Sequence, residues 1–438
     1  MRTINTNYDQ KEAVELLLEF SYSVNKMEDL KGLTDRIGDK KIVMLGEASH
    51  GTHEFYTWRS YISQRLIEDH GFNFIAVEGD WPDLFEVNNF IQNDSVSEDV
   101  GEVLHRFDRW PTWMWANWEI AALAEKMKSH NHRHPDTKVG IYGLDVYSLW
   151  DSLHSIIKYL EENDPEALEK AKEAIRCFEP YKEEDGIAYA RASMMVPEPC
   201  REEVVALLKE TQTARFQKTG TKHQVFDAEQ NALIAANAEK YYRTMVQSDA
   251  ASWNVRDSHM MQTLNRLLTY YGDHSKAIVW AHNTHIGDSS ATDMAEEGMY
   301  NIGEFARAAY HQDVALVGFG TYSGSVIAGS AWGAEMQKVT LPEAMPESWE
   351  SLLHEAGAGN KYVMMDELQD TFFAHQRIGH RAVGVVYRPQ FERYGNYVPS
   401  VVAKRYDAFI FIDHTHALHP LHLTPNGSEV PETYPFGL

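Results

Sequence analysis

Cysteine is nearly absent: Cys177 and Cys200 are the only two in 438 residues. Two cysteines cannot make a disulfide framework or a cysteine-rich zinc site. Positive charge is also scarce. Forty Lys and Arg stand against 65 Asp and Glu, a formal charge of −25, and no basic run makes a local exception. So acidic a chain repels phosphate backbones and anionic lipid surfaces, so neither nucleic acid nor a membrane is expected as a partner. No apolar run approaches the roughly 20 residues of a transmembrane helix. The opening MRTINTNYDQKEAVELLLEF has no apolar stretch after a basic start, does not read as a signal peptide, and predicts a cytoplasmic location. Missing too are a Gly-x-Ser-x-Gly elbow, an HExxH helix and a phosphate-cradling Gly-Lys-Ser loop. Serine-nucleophile, zincin and P-loop chemistries therefore lack their usual signatures, and no cofactor is expected.

What is present is a repeated pattern. Four short apolar runs lead straight into ionisable side chains: KIVMLGEASH (Lys41 to His50), FIAVEGD (Phe74 to Asp80), KVGIYGLDVY (Lys138 to Tyr147) and AIVWAHNTH (Ala277 to His285). In an open parallel sheet, ligands bind beyond the carboxyl ends of the strands. As neighbours in one sheet, these runs would bring Glu47, His50, Glu78, Asp145, His282 and His285 to one pocket. The predicted fold is α/β, a mainly parallel sheet flanked by helices. Between Asp151 and Asp273 no strand is evident, and Leu149, Leu153, Ile156, Ile157 and Leu160 recur at helical spacing. The chain therefore divides into a first part of the core (1–147), a helical insertion or cap (148–272) and a second part of the core (273–438). Further strands are expected at Val314–Phe319, Ser325–Ile327, Tyr362–Met364, Val383–Tyr387 and Phe409–Ile412. Residues 10–27 read as an amphipathic helix. Thr52 is a plausible N-cap for a helix closed by Gly71, completing a βαβ unit with the second strand.

Within Gly46-Glu47-Ala48-Ser49-His50-Gly51, glycines at both ends suit a sharp turn close to a ligand. A neutral imidazole is the side chain best suited to take a proton from water near neutral pH, and a carboxylate three residues away can fix its tautomer. Arg59, on the following helix, can hold a substrate carbonyl or a carboxylate such as Glu78. Glu78 closes an apolar run, so it is buried and must be paired or protonated. His282 and His285 suit either acid/base work or a metal. His132 and His134 read as a solvated loop. His414, His416, His419 and His422, in HTHALHPLH, form a weak metal candidate or a structural segment at the substrate rim. Ser49 is a poor nucleophile candidate, because adjacent turn residues diverge from His50.

Five blocks, GEASHGTHEFYTWR, IAVEGDW, YGLDVYSLW, WNVRDSHM and VWAHNTHIGD, occur in an order that resembles the erythromycin esterase family, with a looser echo in RYDAFIFIDHTHAL. The resemblance implies metal-independent hydrolysis of an ester or lactone without a serine nucleophile. It implies His50 as general base, Glu47 as its orienting partner, and Glu78 and His285 as catalytic. Arg59, His282, Asp145 and Tyr147 would bind substrate. Arg256 and Asp257 would be a structural ion pair. The family includes macrolide-inactivating enzymes beside members that do not act on macrolides. Two other readings stand: a metal-dependent hydrolase on the same Glu and His residues, and a haem or small-molecule binding protein without turnover. The sequence does not fix the oligomeric state.

Overall fold

The computed structural model describes residues 8–184, 187–194, 200–211 and 221–421. A nine-stranded sheet forms its centre. The strands of the protein are β1 (Ser21–Ser23), β2 (Ile42–Leu45), β3 (Phe74–Val77), β4 (Gly140–Gly143), β5 (Ala277–Trp280), β6 (Val314–Gly329), β7 (Met336–Leu341), β8 (Lys361–Met364), β9 (Ile378–Arg381), β10 (Tyr397–Ser400) and β11 (Ala408–Thr415). Their order in the large sheet is β1-β8-β11-β6-β2-β5-β3-β4, with β7 on the far half of β6, while β9 and β10 pair separately. From β11 to β4 all neighbours are parallel; β1, β7 and β8 pair antiparallel. Alternate residues feed two cores. Val43, Leu45, Ile75, Val77 and Trp280 belong to one, and Ile42, Met44, Phe74, Ala76 and Val279 to the other. Burial on both faces is why these strands read as unbroken apolar runs.

The four motif-bearing strands are consecutive in space, as β2-β5-β3-β4. Their ends are flush: Leu45 lies opposite Trp280, Trp280 opposite Val77, and Val77 opposite Gly143. The residues that follow each strand therefore emerge along one edge. One detail differs from expectation. β5 lies between β2 and β3, so the helix His53–His70 crosses over a strand instead of joining neighbours. That helix begins after Thr52 and ends at Gly71 with φ 70°, as the cap signals predicted.

Other differences have physical causes. The N-terminal helix stops at Glu19, because Ser21–Ser23 is recruited as an edge strand by β8. Val383–Tyr387 forms no ladder. It makes single bridges to two different partners, Val383 to Ser49 and Val386 to Gly329. β1, β7, β9 and β10 were not anticipated. Among the described residues from 148 to 272 only helices and connections occur. Leu153, Ile156, Phe178 and Tyr242 form a core of their own. The last helix, Asp249–Tyr271, instead packs Met260, Leu264 and Leu267 against the sheet's second core, so it presents Arg256 and Asp257 from a fixed base. A disulfide joins Cys177 and Cys200. No helix among the described residues is long and apolar enough to cross a membrane.

The glycines of the first motif serve neighbouring protein atoms. A Cβ on Gly51 would lie 2.0 Å from the Ile327 carbonyl oxygen of β6, and one on Gly46 would lie 2.1 Å from Asn283 Oδ1. Neither position has positive φ, so close approach, not turn handedness, demands them. Gly51→Ala is expected to destabilise the fold by about 1–3 kcal/mol, read as a lower midpoint in chemical denaturation. An unchanged midpoint would mean that β6 yields freely.

Candidate active site

Glu47 and His50 follow β2 and are almost fully buried. Glu47 Oε1 is 2.9 Å from His50 Nδ1, and Glu47 Oε2 accepts from Arg59 Nη2 at 2.6 Å. The turn carrying them is held by backbone bonds from Val383 N–H to the Ala48 carbonyl and from Ile327 N–H to the Gly51 carbonyl. Donating Nδ1–H to the carboxylate leaves His50 Nε2 as a lone-pair acceptor. His50 lines a cavity whose empty space, counting the solvent at its open mouth, is about 780 Å³.

Arg59 lies behind this pair. It is wholly buried, does not line the cavity, and has its guanidinium 4.6 Å over Tyr56 and 4.7 Å over Trp280. Its carboxylate partner is Glu47 and not Glu78.

Glu78 follows β3 and pairs with Arg256, whose Nη2 donates to Oε1 at 2.7 Å. The other oxygen, Oε2, accepts from His282 N–H at 2.8 Å. Burial opposes ionisation, but His285 and Arg256 together hold the Glu78 carboxyl well below its ordinary range. Asp145, after β4, grips the same guanidinium in a fork: Arg256 Nε donates to Oδ1 at 2.9 Å and Nη2 to Oδ2 at 2.6 Å. Tyr147 lies beneath it, 4.9 Å from ring centre to guanidinium. Glu78, Asp145, Tyr147 and Arg256 all line the cavity with His50.

The two histidines after β5 differ. His282 accepts from Thr284 N–H at Nδ1 (3.3 Å) and its ring lies 4.9 Å from that of His50. Burial, together with His50 and His285 nearby, lowers its pKa well below the ordinary value, so it is neutral. His285 has Nδ1 3.0 Å from both oxygens of Asp257 and Nε2 3.3 Å from Glu78 Oε1. Arg256 Nη1 is 3.0 Å from the same Nε2, a contact that suits only a neutral ring. Burial also favours the neutral form, yet Asp257 and Glu78 outweigh it and push His285 up to about 9. Protonated, it donates to both carboxylates. Neither histidine lines the cavity wall.

The raised pKa has a consequence for stability. Its unfolded value is about 6.5, so the contribution is full below that pH and is lost as pH rises through about 9. Subtracting the denaturation profile of His285→Gln from that of the native protein should give a difference that shrinks by a few kcal/mol between pH 6 and 10. Parallel profiles would show His285 already neutral.

Arg256 is the site residue that sequence reading placed wrongly. Arg256 and Asp257 were expected to pair with each other, but consecutive helical side chains diverge. Arg256 turns to Glu78 and Asp145, and Asp257 to His285. The available signal was a charged pair set between the apolar Trp253 and Met260 of one helix. The cavity's remaining walls come from Phe107, Trp110, Trp115 and Trp332, with Asp80, Asp83 and Arg109 on its rim. Arg109 Nη1 donates to Asp80 at 2.8 Å. Burial pushes the Asp80 carboxyl up to about 6 despite that arginine. Ser49 is turned away: its hydroxyl meets that of Thr52, and it is absent from the cavity wall.

The model of the erythromycin esterase family matches residues 67–415. The chain belongs to that family. The matched stretch contains Glu78, Asp145, Arg256 and His285, while Glu47 and His50 lie just ahead of it. Erythromycin esterase type II of Escherichia coli is 23% identical over 378 residues, covering 78% of this chain and 85% of that protein. Among solved structures, a succinoglycan biosynthesis protein superposes with a TM-score of 0.78 at 19% identity, over 94% of this chain and 98% of its own. A histidine-to-asparagine mutant of the erythromycin esterase EreC, in its open conformation, gives a TM-score of 0.66 at 16% identity, over 91% and 96%. At such identities the superpositions establish the erythromycin esterase fold, a mostly parallel sheet flanked by helices.

Proposed function

We propose that this member of the erythromycin esterase family hydrolyses a carboxylic ester or lactone by direct attack of water, with His50 as general base. The observation that carries the reading is the Glu47–His50 pair, 2.9 Å apart, whose histidine lies on the wall of the cavity. A water bound at His50 Nε2 loses its proton to the ring as its oxygen attacks the carbonyl carbon. Glu47, itself fixed by Arg59, stabilises the imidazolium so formed. Arg256, a cation on the cavity wall, supplies a donor from Nη1 to the developing oxyanion, a contribution typically worth about 3–4 kcal/mol. Collapse expels the alcohol oxygen, which takes the proton back from His50. The balance is one water added and one ester bond broken, into acid and alcohol.

Glu78 and Asp145 aim the Arg256 guanidinium in this scheme. Glu78 also holds the backbone where β5 ends, through His282 N–H. Guanidinium groups occupy the spaces between these carboxylates, where a divalent cation would meet repulsion. That supports metal-free attack over metal assistance at this cluster. The aromatic wall suits an apolar substrate of some size. Macrolide lactones are the first class to test, because the E. coli relative carries the erythromycin esterase name.

The test is mass spectrometry of macrolides and simple esters incubated with the purified protein, with and without chelator. Products heavier than a lactone by one water, formed equally under chelator, are expected. Inactivity on every ester and lactone, or activity abolished by chelator and restored by metal, would overturn the proposal.

A further inference from the structure

Part of the C-terminal histidine-rich segment is drawn into a cluster well apart from the Arg256 network. His53 opens the helix after the His50 turn, Glu119 lies in the first turn of the helix Trp118–Arg133, and His419 belongs to the closing segment. Both imidazole Nδ1 atoms converge on one oxygen: His53 Nδ1 is 2.5 Å and His419 Nδ1 2.7 Å from Glu119 Oε1. The two rings meet edge to face at 5.1 Å.

We infer that His53, Glu119 and His419 form a binding site for a divalent metal ion of the zinc class. Two imidazole nitrogens and one carboxylate oxygen are a donor set that zinc uses, with a fourth position left for water. Among the described residues this is the one group of three such side chains whose ligand atoms all lie within 4.8 Å of one another. A tetrahedral zinc site has ligand–ligand edges of about 3.3 Å, so each side chain would retreat by less than about 1 Å to admit the ion. A second observation points the same way. The Glu119 side chain is 3% exposed, and its Oε2 is buried without a hydrogen-bond partner. A buried carboxylate oxygen is normally satisfied, and a metal at its mouth would satisfy it. His53 and His419 are 34% and 60% exposed, which gives an ion a route in.

The neighbouring histidines show what a non-site looks like. His416 Nδ1 is 2.6 Å from Glu54, but no third ligand joins them. None of the three proposed ligands lines the active-site cavity, so the site is separate from the one proposed for hydrolysis. It would staple the closing segment to the starts of two helices, where Thr52 already bridges Ala417 and Asn117 bridges Pro420.

Tag-free protein, stripped with chelator and dialysed, is titrated with Co²⁺ and then Zn²⁺. One equivalent of Co²⁺ should give the visible absorption of a four-coordinate site, bleached by Zn²⁺, and Zn²⁺ should raise the melting temperature. His419→Ala and Glu119→Gln should each weaken binding by tenfold or more, while His416→Ala leaves it unchanged. His419 is largely exposed, so metal-free His419→Ala should melt with the metal-free native protein and test the site without a folding defect. No saturable Co²⁺ binding, or equal binding by native protein and His419→Ala, would overturn the inference and leave a hydrogen-bonded triad. Hydrolysis is not the readout, so this result is independent of the proposed reaction.

Discussion

His50→Gln is expected to lower kcat by about 10²–10⁴-fold on whichever ester proves to be the substrate, the span usual for a general base. KM should change little, because most of the cavity wall comes from other residues. The substitution keeps a side chain that can bond Glu47, so the melting temperature should stay within a degree or two. The expected pattern is thus a kinetic loss without a stability loss. Glu47→Gln should reproduce much of the rate loss. Its amide can still meet His50, but it lacks the charge that stabilises the imidazolium and answers Arg59. If His50→Gln retains near-native kcat, the general-base assignment fails. If it loses activity only in proportion to unfolded protein, His50 belongs to packing.

Replacing Arg256 should produce the largest stability effect in the molecule. Arg256→Met removes the cation shared by Glu78 and Asp145 and leaves two buried carboxylates face to face, a loss of about 3–5 kcal/mol. The effect carries a sign with pH. Glu78 is held well below its ordinary pKa partly by Arg256. Stabilisation of that kind is present above the unfolded carboxylate value and is lost as pH falls through the folded one. The gap between native protein and Arg256→Met should therefore be widest near neutrality and narrow towards pH 4, where the variant's carboxyls protonate. Chemical denaturation at pH 4 and pH 7 measures both. A gap below 1 kcal/mol at pH 7 would show that His285 alone neutralises Glu78.

The strand-end motifs were legible because parallel strands buried on both faces are written as continuous apolar runs, and whatever follows them must lie at the sheet edge. Fold class and the convergence of Glu47, His50, Glu78 and Asp145 followed from that. What did not follow was order and pairing. Nothing in FIAVE or AIVW says that β5 sits between β2 and β3, since both runs satisfy the same burial. Arg59 was assigned to Glu78 or to substrate, yet it answers Glu47, twelve residues earlier. Arg256 reaches across 111 positions to Asp145, a link no periodicity encodes. Val383–Tyr387 has the apolar content of a strand but lies where two different elements each accept one bond. Of HTHALHPLH, His422 lies outside the described residues; His132 and His134, read as a loop, lie in the last turn of a helix and just beyond it, both exposed.

The closing segment reaches back to the first motif: Leu418 N–H donates to the Gly51 carbonyl, and His53 N–H to that of His416. During synthesis, the turn that carries His50 leaves the ribosome early and these partners leave last. At about 5–20 residues per second, translation of the roughly 370 residues between them takes on the order of 20–70 s. Throughout that interval the turn lacks two of its anchors. Full anchoring of this turn is thus a late event in the life of each new chain, timed by the emergence of residues 416–418 and not by the folding of the strand next to it.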